Sequence, residues 1–249
     1  MIASVLKFEF RRMISSPSSW VIFAAVQFLL ALIFYNLLFK YLTDPALFEG
    51  RGITDVVIAS YYRSVALIFL LIAPLLTMRL ISEEINSGSI KLLLSSPISA
   101  HQIILGKFFA ATGFLLFLLI LISLIPFSLS IGTSLDYGHL LACIVGSSLL
   151  LISLCSAGLF FSSLFSHQIV SAITSYAAIL LLWTAHTAAS SEGSNIDRLF
   201  QSLSMSIHFT SFTEGVLNSA SVSFFIIITL LFLIMGIWNV KTMRTMEWQ

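Results

Sequence analysis

The chain has 249 residues, 58% of them hydrophobic and only 9% charged, with a mean hydropathy of +1.04. Soluble domains carry about 25% charged residues, so a soluble core is excluded and the composition is that of an integral membrane protein. The formal net charge of +1 points to no nucleic-acid partner.

Residues 1–19 precede the first apolar run. Leu6, Phe10, Met13 and Ile14 share one helical face, and Lys7 and Arg11 share another, with Arg12 beside them. This pattern predicts a short basic amphipathic helix in the membrane interface; a basic flank that only sets topology is the plainer alternative. The serines around Pro17 end it. The first apolar run, about 20 residues long, exceeds a signal-peptide core and is read as a retained span.

Six spans are predicted, over residues 20–39, 65–81, 108–131, 140–165, 169–189 and 222–240, the second extendable back through Tyr61. Pro74 and Pro126 lie inside spans and predict kinks. With both termini in the cytoplasm, 8 lysines and arginines fall inside and 4 outside, the bias expected of that orientation. No soluble domain is predicted, so residues 1–249 form one all-α membrane domain. Cys143 and Cys155 fall in one predicted helix about 18 Å apart, too far to bridge each other.

The main polar loop, residues 82–107, is punctuated. Glu83 and Glu84 follow the second span within a turn, and Gly88 is a helix stop. Ile90, Leu92, Leu93 and Leu94 form an apolar cluster outside the spans, interrupted by Ser96-Pro97. Ser99 and Gln102 make a capping box ahead of Ile103, Ile104 and Leu105. A defined helix-break-helix with exposed leucines either touches a partner or lies flat on the bilayer.

On the opposite side, residues 190–221 form the longest polar connection. Ile196, Leu199, Phe200, Leu203 and Ile207 recur at helical spacing, with Asn195 placed as a cap, and predict an amphipathic outer helix.

Other chemistry is weakly supported. No Walker A motif exists, because Gly106-Lys107 is followed by Phe108 and lacks the upstream glycine. The five histidines never pair at metal-ligand spacing. His186 reads as a packing residue, and Ser4-x-x-Lys7 as coincidence. Gln27 and Asn36 are the notable polar residues in the spans, where the absence of buried acids or bases disfavours a proton-driven transporter. Gly146, Ser147, Ser148, Ser153, Cys155, Ala157 and Gly158 make the fourth span rich in small residues, which suits close helix packing.

The run Glu83-Glu84, Ser87-Gly88-Ser89-Ile90, Leu92-Leu93-Leu94-Ser95-Ser96-Pro97-Ile98-Ser99 and Gly106-Lys107 resembles the loop signature of type-2 ABC exporter permeases, in particular the gliding-motility and nitrous-oxide-reductase-maturation type. Ile207-His208-Phe209, with Phe212-Thr213-Glu214-Gly215-Val216-Leu217, is similar to a second family pattern. Lys91 and Glu214 depart from it, standing where the family usually has an acid and often an arginine. The resemblance implies a non-catalytic permease subunit with no directly bound cofactor. ATP and magnesium would enter through two copies of a separate ATPase subunit. A second permease copy or a related permease would complete the transporter.

The loop would then be a coupling helix. Glu83, Glu84, Gly88, Lys91, Leu92, Leu93, Leu94, Pro97, Ile98, Ser99, Gln102 and Lys107 would form the ATPase contact, joined by Lys7, Phe10, Arg11 and Arg12. Phe209, Phe212, Glu214 and Gly215 would form an extracytoplasmic gate or a platform for a periplasmic or accessory partner. The competing readings are a membrane assembly factor that moves no substrate and an ATP-independent secondary transporter.

Overall fold

The computed structural model describes residues 2–43, 52–90, 99–133, 135–188 and 200–246. Its elements are α1 (Ile2–Ser15), α2 (Pro17–Thr43), a π turn (Thr54–Ile58) leading into α3 (Ala59–Thr77), α4 (Arg79–Asn86), α5 (Ala100–Phe127), α6 (Tyr137–Leu164), α7 (Gln168–Thr184), α8 (Met205–Thr213) and α9 (Ser219–Met246). No strand occurs among the described residues. A helix satisfies its own backbone groups, which is the requirement for crossing hydrocarbon.

Among the described residues six helical stretches are long and apolar enough to span: Ser19–Thr43, Thr54–Asn86, Ala100–Ser130, Tyr137–Leu164, Gln168–Thr187 and Ser219–Met243. Their number and order match the sequence reading. α6 is the hub and packs against α3, α5, α7, α8 and α9. Of its apolar stretch 67% is buried, against 22% for the first and fifth spans, which places those two at the periphery.

The small residues of α6 explain its centrality. A Cβ on Gly146 would sit 2.5 Å from Cβ of Phe212, and one on Gly158 would sit 2.0 Å from Oγ1 of Thr77. Glycine at both positions lets neighbouring helices approach closely, so this stripe packs as expected.

The second span starts earlier than its apolar run suggests because its tyrosines are partnered. Pro126 has no N–H, so the carbonyl four residues back, at Ile122, lacks its helical donor. The buried Tyr61 hydroxyl donates to that carbonyl at 3.1 Å, and the Tyr62 hydroxyl donates to Ser123 Oγ at 3.0 Å. Gln27 likewise reaches across to the Leu121 carbonyl, at 3.3 Å. Asn36 instead returns to its own helix, at the Leu32 carbonyl.

The same span breaks at Met78, four residues after Pro74. Ser162 of α6 repairs the break. Its Oγ accepts from the N–H groups of Ile81 at 3.0 Å and Ser82 at 3.1 Å, and donates to the Met78 carbonyl at 2.9 Å. The polar loop's first helix, α4, is therefore fastened to the hub rather than hanging from the span.

The predicted outer helix is corrected in part. Residues 189–199 lie outside the described residues, so its start and the Asn195 cap do too. The helical register does not run through Ile207, because Ser204 is extended (φ −76°, ψ 115°) and α8 begins afresh at Met205. Buried Ser204 donates to the Trp183 carbonyl at 3.1 Å and pairs with His186 Nδ1 at 3.1 Å. A serine held by two outside partners competes with the helix for its own conformation.

Candidate functional site

At the end of the bundle that carries both termini, α1 packs along the first turns of α5. Phe10 faces Gly113, where a Cβ would lie 3.8 Å from its ring. α1 is thus seated on the third span, with Lys7, Arg11 and Arg12 exposed. Glu9, which the sequence reading passed over, is buried beneath it.

Lys107 is the centre of this junction. Its side chain is only 1% exposed, and its Nζ donates to Glu9 Oε1 at 2.7 Å and to Glu84 Oε1 at 2.6 Å. One buried ammonium thereby joins α1, α4 and α5. Burial without partners would be prohibitive for any of the three charges, so each position depends on the others. The second Glu84 oxygen is also buried and has no hydrogen-bond partner among the described residues. A second, exposed ion pair between Arg12 and Glu83 at 3.4 Å runs alongside; exposed pairs of this kind contribute roughly 0–1 kcal/mol.

The loop's edges have the predicted local structure. Gly88 sits at φ +72°, just past the end of α4, the left-handed conformation that closes a helix. Ser99 and Gln102 form the reciprocal capping box that starts α5. Lys91, Leu92, Leu93, Leu94, Pro97 and Ile98 lie outside the described residues. Of the residues proposed to meet a partner, Glu83 is exposed at the loop's entrance. Lys107 is different, since its side chain is an internal brace and not part of the loop surface.

At the opposite end a second polar cluster holds α8. Asp136 caps α6, accepting from the N–H groups of Gly138 at 2.9 Å and His139 at 3.2 Å. The His139 ring, nearly buried, reaches the Thr213 carbonyl at 2.8 Å through Nε2 and Asp55 Oδ1 at 3.2 Å through Nδ1. Arg63 Nε donates to Thr213 Oγ1 at 3.3 Å, and Cys143 Sγ donates to the Phe212 carbonyl at 3.5 Å. His139 thus reaches a carbonyl in the last turn of α8, where helical donors run out, whereas the Phe212 carbonyl also accepts from the Gly215 N–H at 3.1 Å, so Cys143 is its second donor. Phe209 and Phe212 are buried in the helix core, while Glu214 is exposed. The sequence reading named the α8 residues but missed Asp55, Arg63 and His139, which lie on other helices.

Gly215 has two reasons to be glycine. Its φ is +78°, and a Cβ there would sit 3.1 Å from the His139 ring. A left-handed conformation costs an L-residue roughly 1–2 kcal/mol. Gly215→Ala is therefore expected to lower stability by about that amount, measured by thermal unfolding in detergent. Gly132→Ala, where a Cβ meets open space and φ is negative, is the control and should change little.

Among the described residues no group of three or more histidines, cysteines or acids is arranged to hold a metal.

A bundle with six helices long and apolar enough to span among its described residues, centred on a small-residue helix, defines a multi-pass membrane protein. The family model described as ABC-2 family transporter protein matches residues 3–243. The chain therefore belongs to the ABC-2 transporter family, as a non-catalytic membrane permease subunit, and the family implies an ABC ATPase as its partner. No curated protein matches it.

Proposed function

We propose that this chain is the permease of an exporter in a bacterial inner membrane, with both termini cytoplasmic, working with a second permease copy or a related one and two ATPase subunits. The observation that carries this reading is the Lys107 junction. It ties α1, α4 and the start of α5 into one body at the mouth of the loop. A push on that loop is passed to the second and third spans together, because helix ends locked by buried charges do not slide independently.

In this reading the apolar residues from Leu92 to Ile98 fill a groove on the ATPase, and Glu83 and Lys91 supply polar contacts at its rim, while Glu84 stays inside the Lys107 junction. Lys7, Phe10, Arg11 and Arg12 place α1 beside the same partner. Phe209, Phe212, Glu214 and Gly215 act at the far end as a gate, with Asp55 and His139 setting its rest position. ATP and magnesium are bound by the partner.

The test is co-purification from native membranes in mild detergent, with partners identified by mass spectrometry. A stoichiometric ATPase with a Walker A motif is expected. Replacing Leu93 and Ile98 together by glutamate is expected to abolish its recovery while the spans remain folded by circular dichroism. Undiminished recovery of the ATPase with the double variant would remove the coupling role from this loop.

A further inference from the structure

A cavity of about 300 Å³ opens between α1, the start of α2 and the junction of α3 with α4. Its polar lining is Glu9, Arg12, Ser16, Ser19, Arg79 and Glu83. Its apolar lining includes Met13, Ile22, Leu75, Leu76 and Leu80. The two kinds of surface meet where the polar loop and α1 join the spans.

The charges of this lining are not all matched. Glu9 is held by Lys107, and Glu83 by Arg12. Arg79 is exposed and has no carboxylate within ion-pair distance among the described residues. The cavity also receives the N-terminus of α2, through Ser16 and Ser19, and a helix of 27 residues presents partial positive charge there. The site thus has one uncompensated cation, a helix N-terminus and hydroxyls at its polar side, and an aliphatic wall leading away from them.

We infer that this cavity binds the phosphate of an anionic phospholipid, with Arg79 as its principal charge partner and the upper acyl chain lying along Ile22, Leu75 and Leu76. A phosphate diester carries the single negative charge that Arg79 lacks as a partner, and guanidinium forks donate to phosphate oxygens in pairs. The aliphatic wall selects an amphiphile over a free phosphate, because an ion alone leaves that wall wet. Bound there, the lipid touches α1, α2 and α4 at once, so its occupancy bears on how α1 is seated beside the loop.

The experiment uses the delipidated full chain in detergent, titrated with phosphatidylglycerol or with diacylglycerol, which lacks the phosphate, of matched acyl length, with bound lipid counted by native mass spectrometry. Wild type is expected to retain phosphatidylglycerol about tenfold better, the ratio that one charge-assisted contact supplies. Arg79→Gln is expected to bring the two lipids to parity, Arg79→Lys to keep part of the preference, and Lys7→Gln, outside the cavity, to leave it intact. Equal retention of both lipids by wild type would overturn the inference, with or without folded variants. So would an unchanged preference in Arg79→Gln. Competition of phosphatidylglycerol by millimolar glycerol 3-phosphate would show a soluble phosphate site and exclude the lipid as the specific occupant.

Discussion

Lys107→Met is expected to destabilise the protein more than removal of either of its carboxylate partners. The methionine leaves Glu9 and Glu84 facing each other in a site where Lys107 now keeps both within 2.7 Å of one ammonium. Breaking a buried ion pair by deleting one member typically costs about 3–5 kcal/mol, because the remaining charge stays buried and uncompensated. For a chain of this size that corresponds to a fall in Tm on the order of 10 °C. Glu9→Gln acts differently. It preserves an acceptor for Lys107 and reduces the cluster from two carboxylates and one ammonium to a neutral pair. Its effect should be a fraction of the Lys107→Met effect. The triple variant Glu9→Met, Lys107→Met, Glu84→Met removes all three charges and should recover much of the stability, since apolar replacement of a whole buried ionic cluster is often neutral or better. Thermal unfolding of the four proteins in one detergent measures the order. If the triple variant is as unstable as Lys107→Met, packing rather than charge explains the junction. If the triple variant is stable but no longer turns ATPase cycles into movement, the charges serve to hold α1 and the loop in register.

The spans were legible because they rest on run length alone. An apolar run of about 20 residues has few alternatives to a membrane helix. Their ends were less legible. The second apolar run starts at Val65 and was extendable only back through Tyr61, yet the hydroxyls of Tyr61 and Tyr62 are satisfied by α5, and the helix continues outward to Thr54. The loop's caps, Gly88 and the Ser99–Gln102 box, were readable because capping is local chemistry within four residues. The two charged clusters were not. Glu9 and Lys107 are 98 positions apart, and Glu84 is 23 from Lys107. No helical period links such distances. The family resemblance drew attention to Lys107 and Glu84, but as residues meeting a partner, and it offered no hint of Glu9. His139 was set aside for lacking a second histidine at ligand spacing, whereas its partners are a carboxylate on the second span and a backbone carbonyl on α8. The predicted continuation of the outer helix to Ile207 failed for the opposite reason. Its apolar period ran on through Ser204, where two side-chain contacts from other elements outweigh the local preference.

Gly146→Ala and Gly158→Ala both insert a methyl group into the hub helix, and they are expected to differ in whether a second substitution rescues them. At Gly146 the new Cβ would meet Phe212 Cβ at 2.5 Å, Cγ at 2.6 Å and Cδ2 at 2.9 Å. The nearest of these atoms is attached to the backbone of α8, so relief requires moving that helix. Moving α8 in turn strains the bonds from His139 and Cys143 to its last carbonyls. Overpacking of this kind costs typically 1–3 kcal/mol and occasionally more, and Gly146→Ala belongs at the upper end. Phe212→Ala removes the ring but keeps the Cβ, so the double variant should stay destabilised and also carry a cavity. At Gly158 the first obstacle is a side-chain oxygen, Thr77 Oγ1 at 2.0 Å, with Thr77 Cβ at 3.0 Å. Thr77→Ala deletes the oxygen and leaves only the longer contact. The hydroxyl's bond to the Ala73 carbonyl is lost, but it duplicates what the helix provides. Gly158→Ala with Thr77→Ala should therefore be more stable than Gly158→Ala alone. Thermal unfolding of the four variants decides it: rescue at position 158 and none at 146 means that α8 is held rigidly to the hub. Rescue at both would mean that α8 yields, which would free Phe209 and Phe212 to move as a gate must.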